Sequence, residues 1–187
     1  MRDDDRKEIM KEYIRSAMLS LLREKDYADI QMTEIAARAH IGRRSLYRYF
    51  RSKDNIMKNI AESLMDRFAD MINEKGFSGL DDTMLIYFRF WEENMDTLQL
   101  LKKTHLTGVI EDRLPQLIMG VALKTKFKGM DIDIETVLKQ TDPAELYGAY
   151  YIWAGIWKLP MCWSEEQPPR PAAEMAALSC RIISNKE

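Results

Sequence analysis

Between Met32 and Lys53 the chain reads MTEIAARAHIGRRSLYRYFRSK, an order that asks for a short helix, a tight turn and a second short helix. Ile35, Ala36, Ala39, Ile41, Leu46 and Phe50 are apolar where two crossing helices would face inward. Ala36 and Ala39 are small enough for the two to approach closely. Arg43, Arg44, Ser45, Tyr47 and Arg48 are left on the outer side of the second helix. Arginine bonds a guanine edge in bidentate fashion, and serine and tyrosine hydroxyls bond phosphate. The pattern suits a helix-turn-helix reader of the major groove.

The rest of the chain repeats its apolar residues at helical spacing, with no strand-like alternation bounded by turns. An all-α fold is expected. Helix one is predicted over about 5–24, with Ile9, Met10, Tyr13, Ile14, Ala17, Met18, Leu21 and Leu22 on one face. Helices at 32–39 and from Arg43 to Tyr49 or Phe50 follow. Ser52 can cap a fourth, long helix whose stripe runs from Ile56 to Ile72, with Asp54 near its positive end and Gly76 and Gly79 as its stop.

Beyond Gly79, Asp81 or Asp82 can cap a helix through Leu85, Phe88 and Trp91, followed by helices at about 97–107 and 114–127, the last with Pro115 in its first turn. The stretch 130–141 is ambiguous. Asp142-Pro143-Ala144-Glu145 is a strong start signal, and Pro160 should kink or end the helix it opens. Pro168, Pro169 and Pro171 mark a connector before a last helix. The expected division is a helix-turn-helix domain over 1–52, with the start of helix four to about 58, and a second helical domain over 53–187.

Charge supports the division. Residues 1–60 carry 14 basic against 10 acidic side chains, the remainder 14 against 20, and the span 31–58 carries 7 against 2. Such charge attracts phosphate, although solvated surface arginine gives the same count. No apolar run approaches the roughly 20 residues of a membrane span. The amino terminus, MRDDDRKE, has no apolar segment behind a basic start, so a cytoplasmic location is expected. Cys162 and Cys180 are expected reduced and buried. They share no close spacing with His40 or His105, so neither a metal nor a cofactor is indicated.

Tyr27, Ile35-Ala36, Ala39-His40-Ile41, Ser45-Leu46-Tyr47-Arg48-Tyr49-Phe50 and Ser52-Lys53-Asp54 together resemble the TetR family of bacterial transcriptional regulators. The likeness covers about the first 60 residues, with weaker traces in FRFWEENMDTLQLL and YYIWAGIWKLPMCW. Asp26 and His40 stand where the family has glycine, and Gln31 where threonine caps helix two. Arg44 occupies a position that is often glycine or proline. The resemblance implies base contacts by Arg43, Arg44 and Tyr47, with Thr33 a lesser candidate. It implies phosphate contacts by Ser45, Tyr49 and Lys53. Arg48 reads equally as a phosphate contact or a surface cation, and Tyr49 also reads as a core aromatic beside Phe50.

For the second half the resemblance implies a dimeric, effector-binding unit and, by default, a repressor released from a palindromic operator by a small molecule. Phe88, Trp91, Met95, His105, Leu117 and Tyr151 are the candidate pocket residues, each of which plain packing would also explain. Gly148, Ile152, Gly155, Ile156, Met175, Leu178 and Ile182 are the candidates for a two-fold interface with a second copy. No Gly-rich phosphate loop, serine elbow or metal-spaced set marks an enzyme, so no catalytic residue is assigned. The remaining alternatives are an activator and a DNA-binding protein that answers to no effector.

Overall fold

A computed structural model describes residues 3–75, 79–105, 107–113 and 141–184. The helix expected over 114–127, the stretch 130–140 and Leu117 lie outside them. Among the described residues the secondary structure is helical throughout. The elements are α1 (Asp3–Glu24), a 3-10 turn (Tyr27–Asp29), α2 (Met32–Arg38), α3 (Arg43–Tyr49), α4 (Lys53–Lys75), α5 (Leu80–Glu93), α6 (Met95–Lys103), α7 (Pro143–Trp163) and α8 (Ala172–Ser184). They fall into two units, one of residues up to Leu64 with Gln99–Val109, the other of Met65–Leu98 with Ile110 onward. The first unit therefore extends past residue 58 and takes in the end of α6.

The first unit contains the predicted helix-turn-helix and is called the head below. Ile14, Ala17, Met18, Leu21 and Leu22 of α1 are buried with Ile35 and Ala36 of α2, Leu46 of α3, Phe50, and Ile56, Met57, Ile60, Ala61 and Leu64 of α4. Ala39 and Ile41, expected inward, are only half-buried. Ile9 and Tyr13, also expected on the buried face of α1, are 43% and 56% exposed. Successive helical residues turn by about 100°, which puts this pair at the edge of the buried arc. Arg15 is the reverse case, a buried cation. It donates to Glu12 and Glu8 along α1 and, through Nη1, to Asn59 Oδ1 on α4 at 2.9 Å.

The turns follow the sequence chemistry. His40 sits at φ 54°, in the left-handed region where the family resemblance puts glycine. The N–H of Ile41 then closes the turn on Ala36 O at 3.0 Å. Gln31 is a better start for α2 than its type suggests, because its N–H donates to Glu34 Oε2 at 2.8 Å. Ser52 Oγ accepts the N–H of Asn55 and caps α4.

In the second unit α8 packs along α5. The core is aromatic. Phe68 of α4 lies 4.9 Å from Phe90 and 5.8 Å from Tyr87, Phe88 meets Trp163 edge-on, and Trp91 lies 5.4 Å from Trp157. Asp142 caps α7 by accepting the N–H of Ala144 at 2.8 Å. Pro160 does not end α7, which runs through it to Trp163. Gly79, not Asp81 or Asp82, holds the cap position of α5, and both acids lie in its first turn. Cys180 is buried, its thiol pushed up to about 11 by desolvation and by Asp81, whereas Cys162 is exposed, contrary to expectation.

Candidate nucleic-acid interface

The α2–α3 pair is anchored from below and decorated above. Arg38 at the end of α2 makes a two-pronged pair with Glu24, both N–O distances 2.7 Å, and also donates to Ser20. Lys25 lies 2.5 Å from Glu34. The hydrogen bond from Arg38 holds the Glu24 carboxyl below its ordinary range, and that from Lys25 does the same for Glu34. Glu24 and Glu34 are thus paired with Arg38 of α2 and with Lys25 just after α1, and α3 has no acid among its own seven residues.

Arg43, Arg44, Tyr47 and Arg48 are exposed on α3, Thr33 is exposed on α2, and Ser45 is half-buried. Leu46 alone of α3 is fully buried, which fixes the rotation of the helix and turns the arginines outward. The Arg48 guanidinium lies 5.2 Å over the Tyr49 ring and donates to its hydroxyl at 3.4 Å. A cation held this way loses less freedom on meeting a phosphate. Tyr49 is half-buried, so both of its readings have support.

Gly42, Ser45, Arg48 and Tyr49 also line one side of a groove of about 750 Å3 whose other side is Arg6, Lys7, Met10 and Lys11 of α1. The sequence reading missed these three cations. Their signal was there, basic residues one turn apart on α1, but Asp3, Asp4, Asp5 and Glu8 mask it in any charge count, and Lys11 lies 3.3 Å from Glu8.

Lys53, expected at a phosphate, is held within its own unit. Its ammonium donates to the carbonyl oxygens of Tyr27 at 2.7 Å, Ala28 at 3.0 Å and Ile30 at 3.2 Å, so its three protons are engaged within the head. It also lies 4.5 Å over the Tyr27 ring.

The five candidate pocket residues that the structure describes differ widely in burial. Phe88 and Trp91 are fully buried in the aromatic core of the second unit, and Met95 is half-buried at the start of α6. His105 is exposed at φ 56° in the first unit, where it lines a groove of about 450 Å3 with Leu22, Tyr27 and Lys103. Tyr151 is 84% exposed on α7, because the arc of that helix that faces its own core carries Ile156 and Trp163 instead.

The interface candidates divide as well. Gly148, Ile152 and Gly155 are exposed on α7 at helical spacing with Tyr151, and Ile182 is exposed on α8. Leu178 is half-buried. Ile156 and Met175 are buried within their own unit, Met175 on the arc of α8 that α5 covers. Both are core residues of the single chain.

Among the described residues no helix is long and apolar enough to cross a membrane. Residues 14–60 match the family model described as bacterial regulatory proteins, tetR family. The chain is 32% identical over 90 residues to the uncharacterized HTH-type transcriptional regulator YxbF of Bacillus subtilis, a match covering 48% of this chain and only 20% of that relative's length. Its fold is similar to that of the dihydroxyacetone kinase operon activator DhaS, with 18% identity, a TM-score of 0.62 and 95% and 96% of the two chains covered. It is also similar to Thermus thermophilus FadR, a TetR-family transcriptional repressor solved in complex with lauroyl-CoA, with 17% identity, a TM-score of 0.56 and 93% of each chain covered. Residues 14–60 thus carry a segment similar to the tetR family of bacterial regulatory proteins, and the fold of the chain is similar to that of TetR-type regulators over nearly its whole length.

Proposed function

We propose that the chain acts in the cytoplasm as a homodimer that reads a palindromic operator and is released from it by a small-molecule effector. The observation that carries this reading is the exposed stripe of Gly148, Tyr151, Ile152 and Gly155 on α7, with Ile182 exposed on α8. Large apolar and aromatic side chains left bare on helices are what a self-complementary interface covers. A two-fold pair would present two copies of α3 to major grooves about 34–36 Å apart or a multiple of that.

In each copy Arg43, Arg44 and Tyr47 would meet base edges, with Thr33 beside them, and Ser45, Arg48 and Tyr49 would meet phosphates. Arg6, Lys7 and Lys11 widen that footprint. Effector binding is supported by the aromatic second unit, where Trp91 is buried among Tyr87, Phe90 and Trp157. FadR, of similar fold, is described bound to lauroyl-CoA. The effector would shift α4 and α6, which run from one unit into the other, with a coupling of typically about 1–3 kcal/mol. The likeness to DhaS, an operon activator, favours activation as the second reading.

One experiment tests the whole reading. Duplexes selected from a random pool by the purified protein should converge on an inverted repeat, bound by a species of twice the chain mass in light scattering. A screen of acyl and aromatic ligands should then find one that releases the duplex. Convergence on a single half-site bound by a monomer would refute the dimer. Failure of every ligand to change affinity would leave the effector-independent regulator instead.

A further inference from the structure

Lys53, the first residue of α4, has its ammonium in a socket of three main-chain carbonyls, Tyr27, Ala28 and Ile30, at 2.7, 3.0 and 3.2 Å, under the Tyr27 ring. The next residue, Asp54, accepts the Tyr27 hydroxyl proton. Two successive residues of α4 thus grip both ends of one residue in the turn between α1 and α2. Within the turn Tyr27 O also accepts the N–H of Ile30 at 3.3 Å, so Lys53 adds its charge to a carbonyl the turn already uses.

We propose that Lys53 is a positioning residue that locks the first turn of α4 to the Tyr27–Asp29 turn, and that it contributes to operator affinity by orienting the reading helices, not by neutralising a phosphate. To reach DNA the ammonium would have to leave three charge-assisted bonds. The clamp matters because α4 is the helix through which the chain leaves the head. A loose joint there would let the head present α3 at a range of angles. Sequence-selective binding, which needs base contacts in register, would suffer, and non-selective binding, which needs only charge, would not.

The proposal rests on the reading-head assignment, and its test separates the two. Binding of the full-length protein is followed by fluorescence anisotropy on a selected operator duplex and on a scrambled duplex of equal length, over a salt series. A wild type that does not distinguish the duplexes sinks the assignment before any variant is compared. With selectivity present, Lys53→Met is expected to weaken operator binding at least tenfold while leaving the scrambled duplex within about twofold and the salt slope unchanged. Lys53→Arg should not rescue, because a planar guanidinium cannot meet three carbonyls set around a point charge, whereas a phosphate accepts either cation. Tyr27→Phe, which keeps the ring and removes the bond to Asp54, should lower selectivity in the same direction, and it decides the matter should Lys53→Met not fold. A fall of about 0.9 in the salt slope for Lys53→Met, restored by arginine, would show a phosphate contact and overturn the proposal. So would an equal loss on both duplexes, or wild-type selectivity in both Lys53→Met and Tyr27→Phe.

Discussion

Glu92 Oε1 accepts the main-chain N–H of Ala172 at 2.9 Å, so a carboxylate near the end of α5 caps the first turn of α8 from 80 residues away. The first N–H groups of a helix lack intrahelical partners and carry the positive end of its dipole, which makes a carboxylate the best available acceptor. Glu92→Ala is expected to cost about 1 kcal/mol of second-unit stability, and Glu92→Gln less, since the amide oxygen still accepts but without charge. Thermal unfolding followed by circular dichroism checks the order. Equal midpoints for wild type and Glu92→Ala would show the cap to be inert.

Phe88 and Tyr151 were paired as pocket residues on sequence and are opposites in the structure, one wholly buried and the other 84% exposed. Phe88→Ala should cost about 3–5 kcal/mol, the range for emptying an aromatic site in a packed core. Tyr151→Ala should leave monomer stability within about 0.5 kcal/mol, as a surface substitution does. It should instead weaken self-association, read by sedimentation at falling concentration. A destabilised Tyr151→Ala with undiminished self-association would contradict the placement of that face.

What the sequence disclosed was local. The bounds of α2 and α3, the positive φ of His40 and the caps at Ser52 and Asp142 depend on neighbours within four residues, and residue type reports such effects directly. The partners of Glu92 and Lys53 were not legible, because they are main-chain groups 80 and 23 to 26 residues away, and a main-chain group leaves no mark in a sequence. Ile156 and Met175 were read as interface for a different reason. A helix that is apolar on most of its circumference does not say which arc its own chain covers. Only the packing of α8 on α5 decides that for Met175.

Arg43 and Arg44 are adjacent on α3 and both exposed, so they project about 100° apart and are expected to read different positions. Each alanine replacement should cost on the order of 1–3 kcal/mol on the selected operator and relax preference at its own position only. Arg48→Ala should weaken binding to all duplexes alike and lower the salt slope by about 0.9. Repeating the duplex selection with each variant gives the readout. Unaltered selected sequences for both Arg43→Ala and Arg44→Ala would remove them from the base-reading role.

The Glu24–Arg38 and Glu34–Lys25 pairs make the head sensitive to acid, with a sign that follows from their carboxyls. The hydrogen bond from Arg38 lowers Glu24, and that from Lys25, with the Gln31 N–H, lowers Glu34, both below the ordinary value of 4.5. A carboxyl whose folded-state value is depressed contributes stability that is fully present above its unfolded value and lost as pH falls through the folded one. The unfolding midpoint of the head should therefore hold level from pH 7 to about 5 and decline below about 4.5. Glu24→Gln combined with Glu34→Gln should lower the midpoint slightly at pH 7, because exposed pairs contribute little each, and should flatten the acid decline. Denaturation monitored by circular dichroism in buffers of constant ionic strength from pH 3 to 7 tests this. An acid limb as steep in the double variant as in the wild type would assign the loss to other carboxylates and leave these two pairs without a role in it.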